Sequence, residues 1–273
     1  MKAPINTLLF SFLLIVFLSS SCRTYLSPAL PGNNMGYLPR QMEADSIKSL
    51  THASASYAGA SSPGNGSVSF KMGMLNINRA HTFKGFNVAY GVLGYLGNAE
   101  HLYSNNRNDA NGDYPPAFNK KMYGFGLRTS VGFHSTSING NTDFRFINWE
   151  NALSTENGAY ADFRDEIYNG KVYNYAGVSN RKRFWTTGLS TEVIFRARRN
   201  HDIKHAFRLF IGGTPGLANS FKYGQLADLD KVINSSSAWN FNYFLSVKRF
   251  TLSLEIAENI NLASKISLGY KLQ

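Results

Sequence analysis

The chain of 273 residues has one cysteine, Cys22. It can form no disulfide within itself, and a thiolate metal cage is excluded. Its six histidines are dispersed, so no metal-ligand cluster is spelled out, and no cofactor motif stands in its place. Charged residues make up only 16%, and past the N-terminus no apolar run reaches the roughly 18 residues of a spanning helix. Proline is sparse, but Pro28, Pro31 and Pro39 crowd into one stretch. Aromatics at 14% and 24 glycines instead fit an all-β chain with many turns. The mean hydropathy of −0.24 is no argument against a membrane, because strands of a transmembrane barrel alternate and average near neutral.

The clearest pattern lies in residues 123–135. Tyr123, Phe125, Leu127, Thr129, Val131 and Phe133 alternate with Gly124, Gly126, Arg128, Ser130, Gly132 and His134. Successive strand side chains point to opposite faces, so one face is apolar and the other small or polar. The stretch is long for a soluble strand and suits a tilted membrane crossing of roughly 9–11 residues. Similar runs follow at 50–59, 67–78, 86–97, 121–136, 142–149, 184–198, 204–213, 239–248, 250–258 and 265–272. Within 67–78 the apolar row is Val68, Phe70, Met72 and Met74, with Lys71 on the other face.

The connections sort by parity. Those at 79–84, 137–141, 200–202 and 248–249 are short, whereas 98–120, 150–183 and 214–238 are long. A transmembrane up-and-down antiparallel β-barrel with a periplasmic N-terminus has short periplasmic turns and long outer loops. The expected fold is therefore such a barrel, of about ten strands within a range of 8–12. Tyr123, Trp185 and Trp239 open strands after long loops and Trp149 precedes one, which places them in an outer aromatic girdle. Tyr270 belongs to the inner girdle.

Residues 8–18 are an apolar stretch behind Lys2, too short to span, followed by Ser19, Ser20, Ser21 and Cys22. This N-terminus resembles that of bacterial lipoproteins, whose signal ends at a cysteine that becomes acylated. The usual leucine three positions before the cysteine is here Ser19. The final run Ile266, Ser267, Leu268, Gly269, Tyr270, Lys271, Leu272 resembles the closing strand of outer-membrane barrels, without their usual terminal aromatic. From Cys22 onward the chain resembles outer-membrane β-barrel lipoproteins as a broad class. The implied organisation is a signal peptide over 1–21, a lipidated periplasmic tether over 22–49 and the barrel over 50–273. Arg23, Thr24 and Tyr25 lack the acidic character of some surface-routing signals, so the lipid is expected on the periplasmic side, with the long loops extracellular.

Lys+Arg 28 against Asp+Glu 17 give a net charge of +11, lowered by one when Lys2 is cleaved off. In an exported protein the partners implied are outer-membrane lipid and lipopolysaccharide rather than nucleic acid. The polar faces would put Lys71, Arg128, His134, Arg145, Glu192, Arg196, Arg208, Lys248 and Glu255 in the lumen. Arg128, His134, Glu192, Arg196, Arg208 and Glu255 are the expected interior network, filling a narrow lumen or lining a small anion-leaning pore. A hydrolase would need a nucleophile beside a base; His52 with Ser54, and His134 with Thr136, share strand faces. Asp109, Asn111 and Asp113 resemble part of a calcium loop but lack its distal glutamate. Gly212, Gly213 and Gly216 lack the Lys-Ser/Thr of a phosphate loop. Residues 159–168 suit a short surface helix, and Glu150, Glu156, Asp162, Asp165 and Glu166 make the longest loop acidic. With no site standing out, the expected role is a non-catalytic accessory or structural barrel with an envelope protein partner. A passive pore, a lipid-modifying hydrolase and a soluble lipocalin-like barrel are the rivals.

Overall fold

The computed structural model describes residues 24–63, 68–102, 117–170, 175–197, 200, 202–224 and 236–272. The signal segment, Cys22 and the loop with Asp109 and Asp113 lie outside these. Ten strands close into an antiparallel barrel. They are β2 (Ser49–Ser61), β3 (Ser69–Thr82), β4 (Phe86–His101), β5 (Phe118–Thr136), β6 (Thr142–Thr155), β8 (Arg183–Arg196), β9 (Ile203–Gly213), β11 (Ser237–Val247), β12 (Phe250–Asn259) and β13 (Asn261–Lys271). Each pairs with its neighbours along the chain, and β13 pairs with β2 to close the seam. The short turns at 83–85, 137–141, 197–202 and 248–249 share one end with the start of β2. The long connections at 102–117, 156–182 and 214–236 link strands at the other end.

Along most of their length the strands sort their side chains as a barrel in hydrocarbon requires. Phe125 is 63% exposed, Leu268 66% and Leu75 68%, while Arg145, Arg164 and Arg208 are among the largest fully buried side chains. Apolar groups dominate the outer face and buried charges the inner one, the inverse of a soluble lipocalin-like barrel. The chain is a ten-stranded transmembrane β-barrel. At the short-turn end, aromatic rings form a dense belt: Phe83 stacks on Phe86 and Phe195 on Phe207, Tyr243 lies tilted against Phe207, and Phe250 meets Tyr270 edge-on.

Two strands differ from the sequence reading. In β3 the expected apolar row faces the wrong way: Phe70, Met72 and Met74 point inward, and Lys71 points outward to pair with Glu100 at 2.9 Å. The parity is set lower down, where Asn76 and Asn78 are buried and Leu75 and Ile77 exposed. A strand cannot change faces without a bulge, so the methionines follow the asparagines inward. In β6 the strand runs on to Thr155, six residues past Trp149. Trp149 therefore sits in mid-strand, not at the outer boundary, with its indole N–H donating to Thr187 at 3.0 Å. A register shift between Arg145 and Asn148 lets both these residues and Glu150 face inward.

Three short strands and a helix cover the long-loop mouth. β1 (Tyr25–Leu26) pairs in parallel with β7 (Gly177–Ser179), which pairs with β10 (Phe221–Tyr223). Helix α1 (Ala159–Asn169) was legible in the sequence, but it is more than a surface helix. Tyr160, Phe163, Arg164, Ile167 and Tyr168 recur at helical spacing and turn toward the mouth. Tyr160 packs on Phe70 at 5.6 Å and on Phe118 at 6.0 Å.

Candidate functional site

The segment 24–48 is the feature that occupies the barrel's interior. The prolines do keep its middle irregular, yet most of it is buried: Leu26, Leu30 and Met42 are each 0% exposed. A tether outside the barrel, expected from composition, is not what these residues form. An irregular backbone leaves its N–H and C=O groups unpaired, and burial makes that costly unless side chains supply partners. The lumen supplies them. Asn261 donates to the carbonyl of Pro28 at 2.6 Å, and Lys265 to that of Asn33 at 3.1 Å. Arg208 donates to Met35 at 3.5 Å and Arg145 to Gln41 at 2.7 Å. The Glu156 carboxylate accepts the N–H groups of Ala29 at 2.7 Å and Leu30 at 3.4 Å.

These contacts trace a descent. Near the long-loop mouth, Leu26 and Leu30 join Phe70, Met72, Met74, Leu93, Met122 and Tyr160 in an apolar plug. The Tyr160 hydroxyl donates to the carbonyl of Ser27 at 2.8 Å. Midway, Gly36 lies where Arg128 and Lys265 converge; a Cβ there would meet the Arg128 guanidinium and lie 2.8 Å from Lys265 Nζ. Lower still, Tyr37 and Arg40 engage Glu192, the latter at 3.3 Å. At the short-turn end, Asp45 pairs with Arg196 and with Lys204 at 2.6 Å. A cavity beside Gly36, Tyr37, His52, Arg128 and Lys265 measures about 20 Å³, room for about one water.

The expected interior network is present in part and larger than the sequence implied. Arg128 donates to Asn76 at 2.7 Å. Arg208 forks onto Glu150 through two bonds, 3.0 and 2.5 Å. Glu150 was expected in the acidic loop; the extension of β6 puts it in the lumen. Glu192 takes Arg145 at 3.3 Å as well as Arg40, and Glu255 pairs with Lys265. Arg196 is half-buried at the short-turn end. Lys71 and Lys248 are not lumenal: one faces outward and the other sits in an exposed turn at φ 53. Glu156, also expected in a solvated acidic surface, is fully buried and paired with Arg164 at 2.6 Å. These acids, with Asp143, offset the cations that suggested an anion preference.

The hydrolase pairs do not assemble. His134 places Nδ1 2.9 Å from Asp143 and Nε2 3.0 Å from the carbonyl of Phe83. Two acceptors call for two N–H donors, so neither nitrogen serves as a base toward Thr136, whose hydroxyl donates to Asp143 at 3.1 Å. His52 reaches Asn78 at 3.3 Å and Thr251 at 2.8 Å, not Ser54. Among the described residues no group of three His, Cys, Asp or Glu could hold a metal.

Of the girdle residues, Trp185 and Trp239 open their strands at the long-loop end. Their indole N–H groups donate to Asn151 at 3.1 Å and Glu258 at 3.0 Å. Tyr123 faces outward, and Tyr270 joins the short-turn belt. In the mouth cover, burial pushes the Tyr175 hydroxyl up to about 12 and Tyr160 well above its ordinary value. Lys182 is raised by its hydrogen bond to Asp165, at 2.5 Å.

No protein-family model matches the sequence, and a search of curated proteins finds no match. Solved structures of similar fold do exist. An outer-membrane channel from Pseudomonas putida F1 is 7% identical, covers 87% of this chain and 100% of its own, and has a TM-score of 0.43. The β-domain of the Bordetella autotransporter Brka is 10% identical over 82% of this chain and 99% of its own, at 0.44. The translocator domain of the autotransporter NalP from Neisseria meningitidis is 7% identical over 84% and 90%, at 0.37. At this identity and similarity no function is carried across.

Proposed function

We propose that this chain is an outer-membrane barrel closed by its own N-terminal segment, working as a non-catalytic accessory or structural component of an envelope complex. The observation that carries the reading is the burial of residues 24–42 among lumenal arginines, lysines and carboxylates. A passive pore needs a continuous wet path. Here the path is occupied by a segment held by charge-assisted bonds at each level. With the lumen filled, and neither histidine pair assembled among the described residues, the surfaces are the working parts: the covered mouth and the lipid-facing wall. The lipidation at Cys22 and the envelope partner belong to this proposal.

The reading is tested in planar bilayers and by copurification. The purified full chain should be electrically silent, and a chain lacking residues 24–42 should conduct. Steady conductance from the full chain overturns the closed barrel. Extraction in mild detergent should bring down a stoichiometric envelope partner, and a lone monomer would sink the accessory role.

A further inference from the structure

The threaded segment has a direction, and the direction carries a consequence for the lipid. Thr24 lies at the long-loop mouth, where its carbonyl accepts the N–H of Ala176 at 2.9 Å. Tyr25 and Leu26 are buried there in the sheet with β7, and the Tyr25 ring packs on Phe221 at 6.5 Å. Asp45 lies at the opposite end, with Lys204. Between them the chain crosses the whole barrel, on the order of 30 Å of hydrocarbon.

Cys22 is two residues upstream of Thr24, a reach of about 7 Å even when fully extended. It cannot return to the short-turn face. A periplasmic lipid and extracellular long loops, both expected from the sequence, are therefore incompatible: the N-terminal end and the long loops share a face. Resting on the outer-membrane barrel of the proposed function, and on the orientation expected from the sequence with long loops outside, we propose that the chain is threaded outward through its own barrel. The acyl group on Cys22 then enters the outer leaflet of the membrane beside the long loops. The partner of this end is a lipid surface, and the barrel is the passage that delivers the lipidated terminus to it.

Single thiols decide the matter. Acylation blocks the Cys22 thiol, so a membrane-impermeant maleimide leaves the unaltered chain blank. Three variants are compared: Arg23→Cys beside the lipid, Leu102→Cys at the long-loop end and Ile138→Cys at the tip of a short turn. Leu102 and Ile138 are both exposed. Heat-modifiable migration scores each as folded before its label is read. Expected is labelling of Arg23→Cys and Leu102→Cys on intact cells, with Ile138→Cys labelled only after permeabilisation. Labelling of Leu102→Cys but not Arg23→Cys on intact cells overturns the threading and leaves the orientation standing. Labelling of Ile138→Cys alone on intact cells overturns the orientation, and outward display with it. Should Arg23→Cys impair lipidation, an epitope inserted between Arg23 and Thr24 and read by antibody on intact cells gives the same two outcomes.

Discussion

Glu150 and Arg208 illustrate what single side chains contribute inside this barrel. Their forked pair is buried, and Ser190 adds a third bond to the carboxylate. Removing one charge leaves the other desolvated and alone, which costs about 3–5 kcal/mol, whereas replacing both with apolar groups is often neutral. Glu150→Gln should lower stability by about that amount in urea unfolding from lipid vesicles, and adding Arg208→Met should restore most of it. Gly36 is the steric counterpart. A side chain there must displace Arg128 and Lys265 together, so Gly36→Val should cost about 1–3 kcal/mol by the same measurement. Tyr175 adds a pH dependence at the mouth. Its hydroxyl is buried without a hydrogen-bond partner among the described residues, and burial pushes its pKa up to about 12 from the ordinary value of 10.0. Folding therefore favours the neutral phenol. That contribution is intact below about pH 10 and fades as pH rises toward 12. Tyrosinate absorbance should show this group ionising late, and Tyr175→Phe should reduce the late absorbance by one tyrosine while that of Tyr160 remains.

At the scale of elements, the threaded segment and the mouth cover act on each other. α1 contributes Tyr160 to Ser27 and Arg164 to Glu156, and Glu156 holds two backbone N–H groups of the segment. Glu156→Gln weakens both the Arg164 pair and the grip on Ala29 and Leu30. It should make the mouth cover more sensitive to added protease while leaving the barrel's heat-modifiable migration intact. The strands were legible from residues such as Phe125, Leu127 and Val131, because alternation repeats along each of them. The segment was not. Pro28, Gly32 and Pro39 report only that no regular ladder forms, and an irregular chain is equally compatible with solvent and with a lumen full of donors.

For the whole molecule, the outward rows make one demand that can be measured. Leu127 lies well inside β5 and is 53% exposed on the outer face. Leu127→Arg should cost about 2–4 kcal/mol if that face meets the middle of the bilayer, and close to nothing if it meets water. Cys22→Ser should end acyl labelling without releasing the protein from the membrane, since ten paired strands hold it there. Loss of membrane residence in that variant would contradict the barrel anchor.

By itself the sequence determined the barrel. The alternation within each strand and the uneven connections at 98–120, 150–183 and 214–238 follow from a two-residue period and a two-sided environment, both written locally along the chain. Only the tertiary structure decided what fills the barrel, which way β3 faces, that Glu150 and Glu156 lie inside, and at which end of the barrel Thr24 lies. Each of those depends on partners tens or hundreds of residues apart, such as Lys265 with Asn33 and Arg208 with Met35, and closure of the sheet is what brings such partners together.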